Sequence, residues 1–344
     1  HVSQHSFPTR RSSDLFTPGT GLFSYSKDNA DAARALHREG RQGSEKGARL
    51  ADPQEQERSV DMERLLEFFR GPARFFLKHR LGAALPREEE ALLDREPFAV
   101  TGLERYTLQQ RVLADRLAGK SVETDLARLR AEGVLPHGVP GELALSGIAG
   151  EIDAFLPLIR RAMKGGEMVR KAVAVTVDGY TLTGAVDSLD GCRVLSFRYA
   201  DITPGDLMRA WVSLLLLQAA DPGAPVSACH MGKGRQVVLK AVDDPEVALR
   251  ALLDVYRQGL CRPLHLFPKS SYAYAEEMKK TLSADKAMQK AHEKWTGGWQ
   301  GNGEAGDAAM LICFAGADPL DDEFRELAAA VYGALLEHTE AAKW

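Results

Sequence analysis

Residues 172–198 read AVAVTVDGYTLTGAVDSLDGCRVLSFR, and this stretch decides the fold. Three β-prone runs, Ala172 to Val177, Tyr180 to Val186 and Cys192 to Tyr199, are joined by Asp178-Gly179 and Asp190-Gly191. Asp-Gly tolerates the positive φ angles of a two-residue hairpin turn, so two such pairs at this spacing predict a three-stranded antiparallel meander. Downstream, Asp206 to Ala220 is apolar nearly all round and predicts a buried helix. Pro225 to His230 and Gln236 to Ala241 flank Gly232-Lys233-Gly234 as a further hairpin; those glycines and lysine lack the Walker spacing of a phosphate loop. Glu246 to Gly259 is amphipathic, and helices are expected over Ala273 to Trp295 and from Asp321 to the end, with a Gly-rich loop from Gly297 to Gly306 between them.

Upstream of Lys171 the texture is helical. Asp61 to Leu77 places Leu65, Leu66, Phe69, Ala73 and Phe76 at helical period, with Pro72 after Gly71 as an interruption. Further helices are expected over Leu103 to Leu117, Ser121 to Ala131 and Glu142 to Met163, the second of these with Ser121 as N-cap. Helices, a meander, a buried helix, a hairpin and helices again describe an α/β fold with a central mixed sheet flanked by helices. The expected organisation is a helical lead-in over 61–170 and a core with C-terminal helices over 171–344. Residues 16–60 are polar and read as a linker or extended arm, with one short helix at Asn29 to Arg38. His5 to Leu15, HSFPTRRSSDL, reads as a translated sequencing adapter, so 1–15 are set aside and a fragment with an upstream start is expected.

The 344 residues carry 44% hydrophobic side chains, enough for a sizeable core without staples. Cys192, Cys229, Cys261 and Cys313 stand far apart with no C-x-x-C pair, which argues against a zinc ribbon and a disulfide scaffold and for reduced thiols in the cytoplasm. The longest apolar run, Trp211 to Ala220, falls far short of the about 20 residues of a membrane span. A net charge of -4 excludes reading nucleic-acid binding from bulk charge.

Gly184-Ala185-Val186-Asp187 ends one strand, and Ser196-Phe197-Arg198 follows nine residues on in the next. This arrangement resembles the PD-(D/E)XK nucleases, in which a G-x-x-D strand precedes a strand with an acid and a lysine. In that family two carboxylates hold Mg²⁺ against a phosphate, and the lysine orients water and stabilises developing charge. Here Asp187 keeps the first place, Ser196 stands for the second acid and Arg198 for the lysine. Serine is a neutral, weak ligand and arginine a fixed cation. The following helix offers Arg209 or Trp211, then Leu214 or Leu215, where that family has Gln and Tyr. The resemblance therefore implies a degenerate nuclease-like fold with vestigial positions Asp187, Ser196 and Arg198, no catalytic residue and no metal. The alternative is an active Mg²⁺-dependent DNA nuclease with a migrated carboxylate drawn from Glu142, Glu151, Asp190 or Asp201.

A longer resemblance begins at Leu65-Leu66-Glu67-Phe68-Phe69-Arg70-Gly71-Pro72-Ala73-Arg74-Phe75-Phe76-Leu77. It continues through Glu96-Pro97-Phe98, Gly102 to Tyr106, Leu135-Pro136, Gly138, Gly141-Glu142, Thr183-Gly184, Tyr256 to Leu260 and Pro263-Leu264, and reaches Lys290-Ala291 and Gly301. In order and spacing these segments resemble the RecC family, the gamma chains of exodeoxyribonuclease V, in its C-terminal domain. The resemblance implies a non-catalytic scaffold of a bacterial helicase-nuclease that repairs double-strand breaks by homologous recombination. It implies RecB and RecD subunits as partners, double-stranded DNA ends and unwound single strands as ligands, no membrane, and a cytoplasmic location. The related AddB subunits hold an iron-sulfur cluster on four cysteines; Gly71 stands at the lead-helix position and no late cysteine trio exists, so no cofactor is expected. Arg70, Arg74, Lys78 and Arg80, with His79, form a basic run that is a candidate DNA or partner contact. His230 and His265 read as structural or surface histidines.

Overall fold

The computed structural model describes residues 50, 58–83, 100, 102–224, 226–297, 303–314 and 318–343. The segments read as adapter and as the helix at Asn29 to Arg38, and the Glu96-Pro97-Phe98 segment, lie outside them. The meander forms as the Asp-Gly turns require: β2 (Met168–Val177), β3 (Tyr180–Leu189) and β4 (Arg193–Phe197) are antiparallel neighbours. Both turns put aspartate and glycine at positive φ, Asp178 at 48° and Gly179 at 77°, Asp190 at 52° and Gly191 at 76°. β4 then pairs parallel with β5 (Ser227–Gly232), which pairs antiparallel with β6 (Arg235–Leu239).

Two strands escape the sequence reading. β1 (Ser59–Asp61), inside the expected arm, pairs parallel with β3 through Ser59–Thr181 to Asp61–Thr183. The chain does not end in a helix: β7 (Thr339–Lys343) pairs antiparallel with β6 and completes a seven-stranded mixed sheet. β2 flanks β3 along its whole length, so β1 and β4 share the other side of β3, at 181–183 and 188–189 respectively.

The interruption at Pro72 is a clean break between α1 (Met62–Arg70) and α2 (Pro72–His79), with Asp61 capping the first through a 2.8 Å bond from Glu63 N. α3 (Gly102–Leu117), α4 (Val122–Ala131) and α5 (Val139–Met163) follow. α5 starts three residues before the expected Glu142, because Pro140 suits a first turn that lacks an N–H partner. α6 (Pro204–Ala220) is the buried helix, closed at its start by a capping box between Thr203 and Asp206. α7 (Pro245–Cys261) is amphipathic as read. The single helix expected over Ala273 to Trp295 is two, α8 (Pro268–Thr281) and α9 (Ala284–Thr296). Leu282 sits left-handed between them at φ 53°, and Ser283 caps the second. A short α10 (Ala308–Phe314) follows the Gly-rich loop, and α11 (Asp322–Glu337) precedes β7.

Strand alternation divides the sheet between two cores. Val173, Val175, Leu182, Val186, Val194 and Val237 face α1, α6, α7 and α11, while Leu189, Leu195 and Met231 face α3, α4 and α5. A third core joins α2 to α8–α11 around Phe267 and Phe324, and Trp295 closes it, 4.4 Å from the Phe267 ring. Gly184 has a steric reason for its place: a Cβ there would stand 2.7 Å from Met62 Cβ, where α1 crosses β3.

Candidate functional site

Asp187 lies exposed on β3, in register with Arg170 of β2. By alternation it shares the face of Leu189 and Leu195, whereas Ser196 and Arg198 share that of Val194. The three positions sit on neighbouring strands, and Asp187 acts through space on Arg209 of α6, as does Asp206, the partner of Arg198.

Ser196 turns toward β5, where its register partner is His230. The Ser196 Oγ and His230 Nδ1 are 2.8 Å apart. His230 is only 5% exposed, and its Nε2 has no hydrogen-bond partner among the described residues. Burial pushes the His230 pKa below its ordinary value, Asp206 opposes this, and Arg198 adds to it. Arg198 is held from three sides: its guanidinium donates to the Asp206 carboxylate, to the Asp201 carbonyl at 3.0 Å and to the Tyr106 hydroxyl at 3.5 Å. The same Asp206 oxygen accepts from Thr203 N and Oγ1, so the arginine is bonded into the N-cap of α6.

On α6 the would-be Gln and Tyr positions are filled otherwise. Arg209 makes a two-point pair with Glu63 at 2.5 and 2.6 Å, and that bond holds the Glu63 carboxyl below the usual range. Trp211, Leu214 and Leu215 are core residues. The four carboxylates considered as migrated ligands have other surroundings. Glu142 pairs with Arg130, Glu151 accepts from Arg105 and Gln109, and Asp190 accepts from Glu167 N at 3.1 Å. Asp201 engages Arg198 through its carbonyl. Among the described residues no group of three or more His, Cys, Asp or Glu side chains is placed to hold a metal ion.

The basic run on α2 borders a cleft of about 940 Å³ between α1–α2, the start of α8 and the Gly303–Met310 segment. Most of its cations are already engaged. Arg74 pairs with Asp307 at 2.6 Å, Lys78 with Glu67 at 2.7 Å, and Arg80 Nε donates to the Leu260 carbonyl at 2.8 Å. His79 lies 3.2 Å from the same Glu67. Arg70 is exposed at the rim and acts on Glu63 through space. Across the cleft the Glu304 carboxylate caps α8, accepting from Lys269 N, Ser270 N and Ser270 Oγ. His265 bonds Asp321 at 2.9 Å, and Gly232-Lys233-Gly234 is the β5–β6 turn. The role of His230 had no signal beyond its place in a strand; only the β4–β5 register reveals Ser196 as its neighbour.

Together these observations define a mixed α/β domain with a central sheet flanked by helices, in which the polar groups at the strand ends bond to one another. The chain belongs to the family described as the RecC C-terminal domain, which matches residues 57–279. It is 31% identical over 229 residues to the RecBCD enzyme subunit RecC of Mycolicibacterium smegmatis, covering 63% of this chain and 20% of that protein. To the RecBCD enzyme subunit RecC of Escherichia coli it is 26% identical over 251 residues, covering 71% and 22%. The chain thus spans about a fifth of the length of these relatives. A solved structure titled "Crystal structure of SSO0001" aligns with 44% of this chain and 84% of its own at 17% identity, but its TM-score of 0.20 carries no argument about fold. No described helix is long and apolar enough to cross a membrane.

Proposed function

We propose that this chain is a non-catalytic scaffold and DNA-handling domain of a helicase-nuclease of the RecBCD type, acting in double-strand break repair by homologous recombination. In this reading 171–344 carry a nuclease-like core that no longer cuts, and 61–170 carry the helical lead-in. RecB and RecD subunits are its partners, DNA ends and unwound strands pass through the complex, and the site of action is the cytoplasm. Family membership supports the assignment. The observation that carries the loss of chemistry is the pair of internal bonds at the vestigial positions. A hydroxyl bonded to His230 and a guanidinium bonded to Asp206 offer a divalent cation no negative charge, which leaves Asp187 as the one carboxylate of the three positions. A Mg²⁺-dependent phosphodiesterase needs at least two hard anionic ligands on one side of the phosphate.

The expected result is that the purified chain leaves single-stranded DNA uncut with either Mg²⁺ or Mn²⁺. Cleavage that disappears in Asp187→Ala would reject the reading and favour the migrated-carboxylate nuclease.

A further inference from the structure

β2 is an outermost strand of the sheet. It pairs with β3 over all ten residues, one to one and without a bulge, and no described strand lies on its other side. The hairpin turn fixes which groups face outward. Val177 and Tyr180 close the two-residue turn, so Val177, Val175, Val173, Lys171 and Val169 exchange main-chain hydrogen bonds with β3. The main-chain N–H and C=O groups of Met168, Arg170, Ala172, Ala174 and Thr176 therefore point away from β3. None of them finds a partner among the described residues. The side chains of these five residues are all exposed.

This edge is also unguarded. A free strand edge invites pairing with another chain, and proteins blunt it with charge, proline, bulges or brevity. β7, at the far end of the sheet, has five residues and carries Glu340, which pairs with Lys240. β2 has ten residues, MVRKAVAVTV, without proline, and both its charges lie in the first four positions. Of these, Lys171 turns to the face of Val173 and lies 3.8 Å from Asp221. Beyond Arg170 the outward positions are Ala172, Ala174 and Thr176, whose short side chains leave the backbone open to approach.

We propose that β2 pairs antiparallel with β2 of a second copy of this chain, joining the two sheets edge to edge. The strand is complementary to itself in that orientation. With Ala172 opposite Ala174 of the mate, Arg170 stands opposite Thr176 and diagonal to Asp178, within reach of a long side chain. Arg170 is the cation at one end of the edge and Asp178 the anion at the other. A two-fold axis therefore brings unlike charges together at both ends and holds the two Arg170 side chains apart. Within its own copy Arg170 faces Asp187 in register and acts through space on Glu63, and Asp178 pairs with Arg250 at 2.7 Å. Asp178 and Arg250 stay half exposed in that pair, so the contact across the axis extends an existing network. Met168 and Val169, 36% and 43% exposed, gain cover at each end. A single ten-residue edge buries less than a standard interface, so the dimer is weak and forms at high protein concentration. This pairing does not depend on the DNA-handling reading above.

Sedimentation velocity of the full chain over a concentration series, with amide exchange read at the two ends of that series, tests this. The expected result is a concentration-dependent dimer. In it the amides of Arg170, Ala172, Ala174 and Thr176 exchange at least about tenfold more slowly than in the monomer, while those of β7 are unchanged. Ala174→Pro removes one outward N–H and leaves the bonds to β3 intact. Ala172→Lys/Ala174→Lys sets cations against each other across the axis. Each variant should weaken the dimer at least about tenfold while keeping the circular dichroism of the parent, whereas Leu311→Ser/Ile312→Ser should leave the dimer unchanged. A chain that stays monomeric throughout overturns the pairing, and so does a dimer that survives the β2 variants. Slowed exchange over 168–177 that appears only in a complex with other subunits, and at no concentration of the chain alone, overturns the second copy in favour of a strand from a partner.

Discussion

His230 holds a hydrogen bond with Ser196 through one ring nitrogen while the other is buried without a partner among the described residues. A charged imidazole there loses its hydration, so the folded state prefers the neutral ring and its pKa lies below the ordinary 6.5. The sign follows. The stabilisation from His230 is complete above pH 6.5 and is lost as pH falls toward the depressed folded value, because the unfolded chain takes up the proton first. Thermal unfolding followed from pH 8 to 5 should show a steeper acid-side decline for the parent than for His230→Gln, and coincident slopes would refute the argument. Asp187, Ser196 and Arg198 are singled out in the sequence by a resemblance to a nuclease strand pattern. What those side chains do is not legible there, since the partners of Ser196 and Arg198 depend on a parallel β4–β5 pairing and on a helix cap.

Local chemistry explains which elements were legible. Asp-Gly pairs and a Pro after a Gly act within two residues, and the meander and the α1–α2 break stand where they mark them. β1 and β7 have three and five residues and form only because a distant strand accepts them, so no short-range signal announces either. The α8–α9 break had a cue, Ser283 as an N-cap, but the apolar period runs through Leu282 and hides it. Gly184 joins element to element. Alanine there must displace Met62 and the start of α1, since the clash is with Cβ and no rotamer change removes it. Gly184→Ala is expected to lower stability by roughly 1–3 kcal/mol in urea unfolding with an unchanged denaturant slope. A loss below a few tenths would show that α1 can shift freely.

At the scale of the molecule, two cores lie against a single sheet and a third lies among helices, and α2 belongs to two of the three. Phe75 packs with Phe68 and Tyr256 in the first, whereas Ala73 and Leu77 enter the third. Helices on both faces leave the domain few apolar side chains to offer a partner in one place, and Leu311 and Ile312 of α10 are exposed as neighbours. Charge, more than apolar area, distinguishes one region of the exterior from another.

β3 is laddered to β1, β2 and β4 at once, two of them along the same side at opposite ends. No fluctuation can free it without undoing three neighbours together, so its amides should open only in the largest cooperative event the domain permits. Deuterium uptake is accordingly expected to be slowest across Leu182 to Leu189, and β7, held by β6 alone, should fill far earlier. Equal rates in the two strands would mean that the sheet yields from its middle and not from its rim.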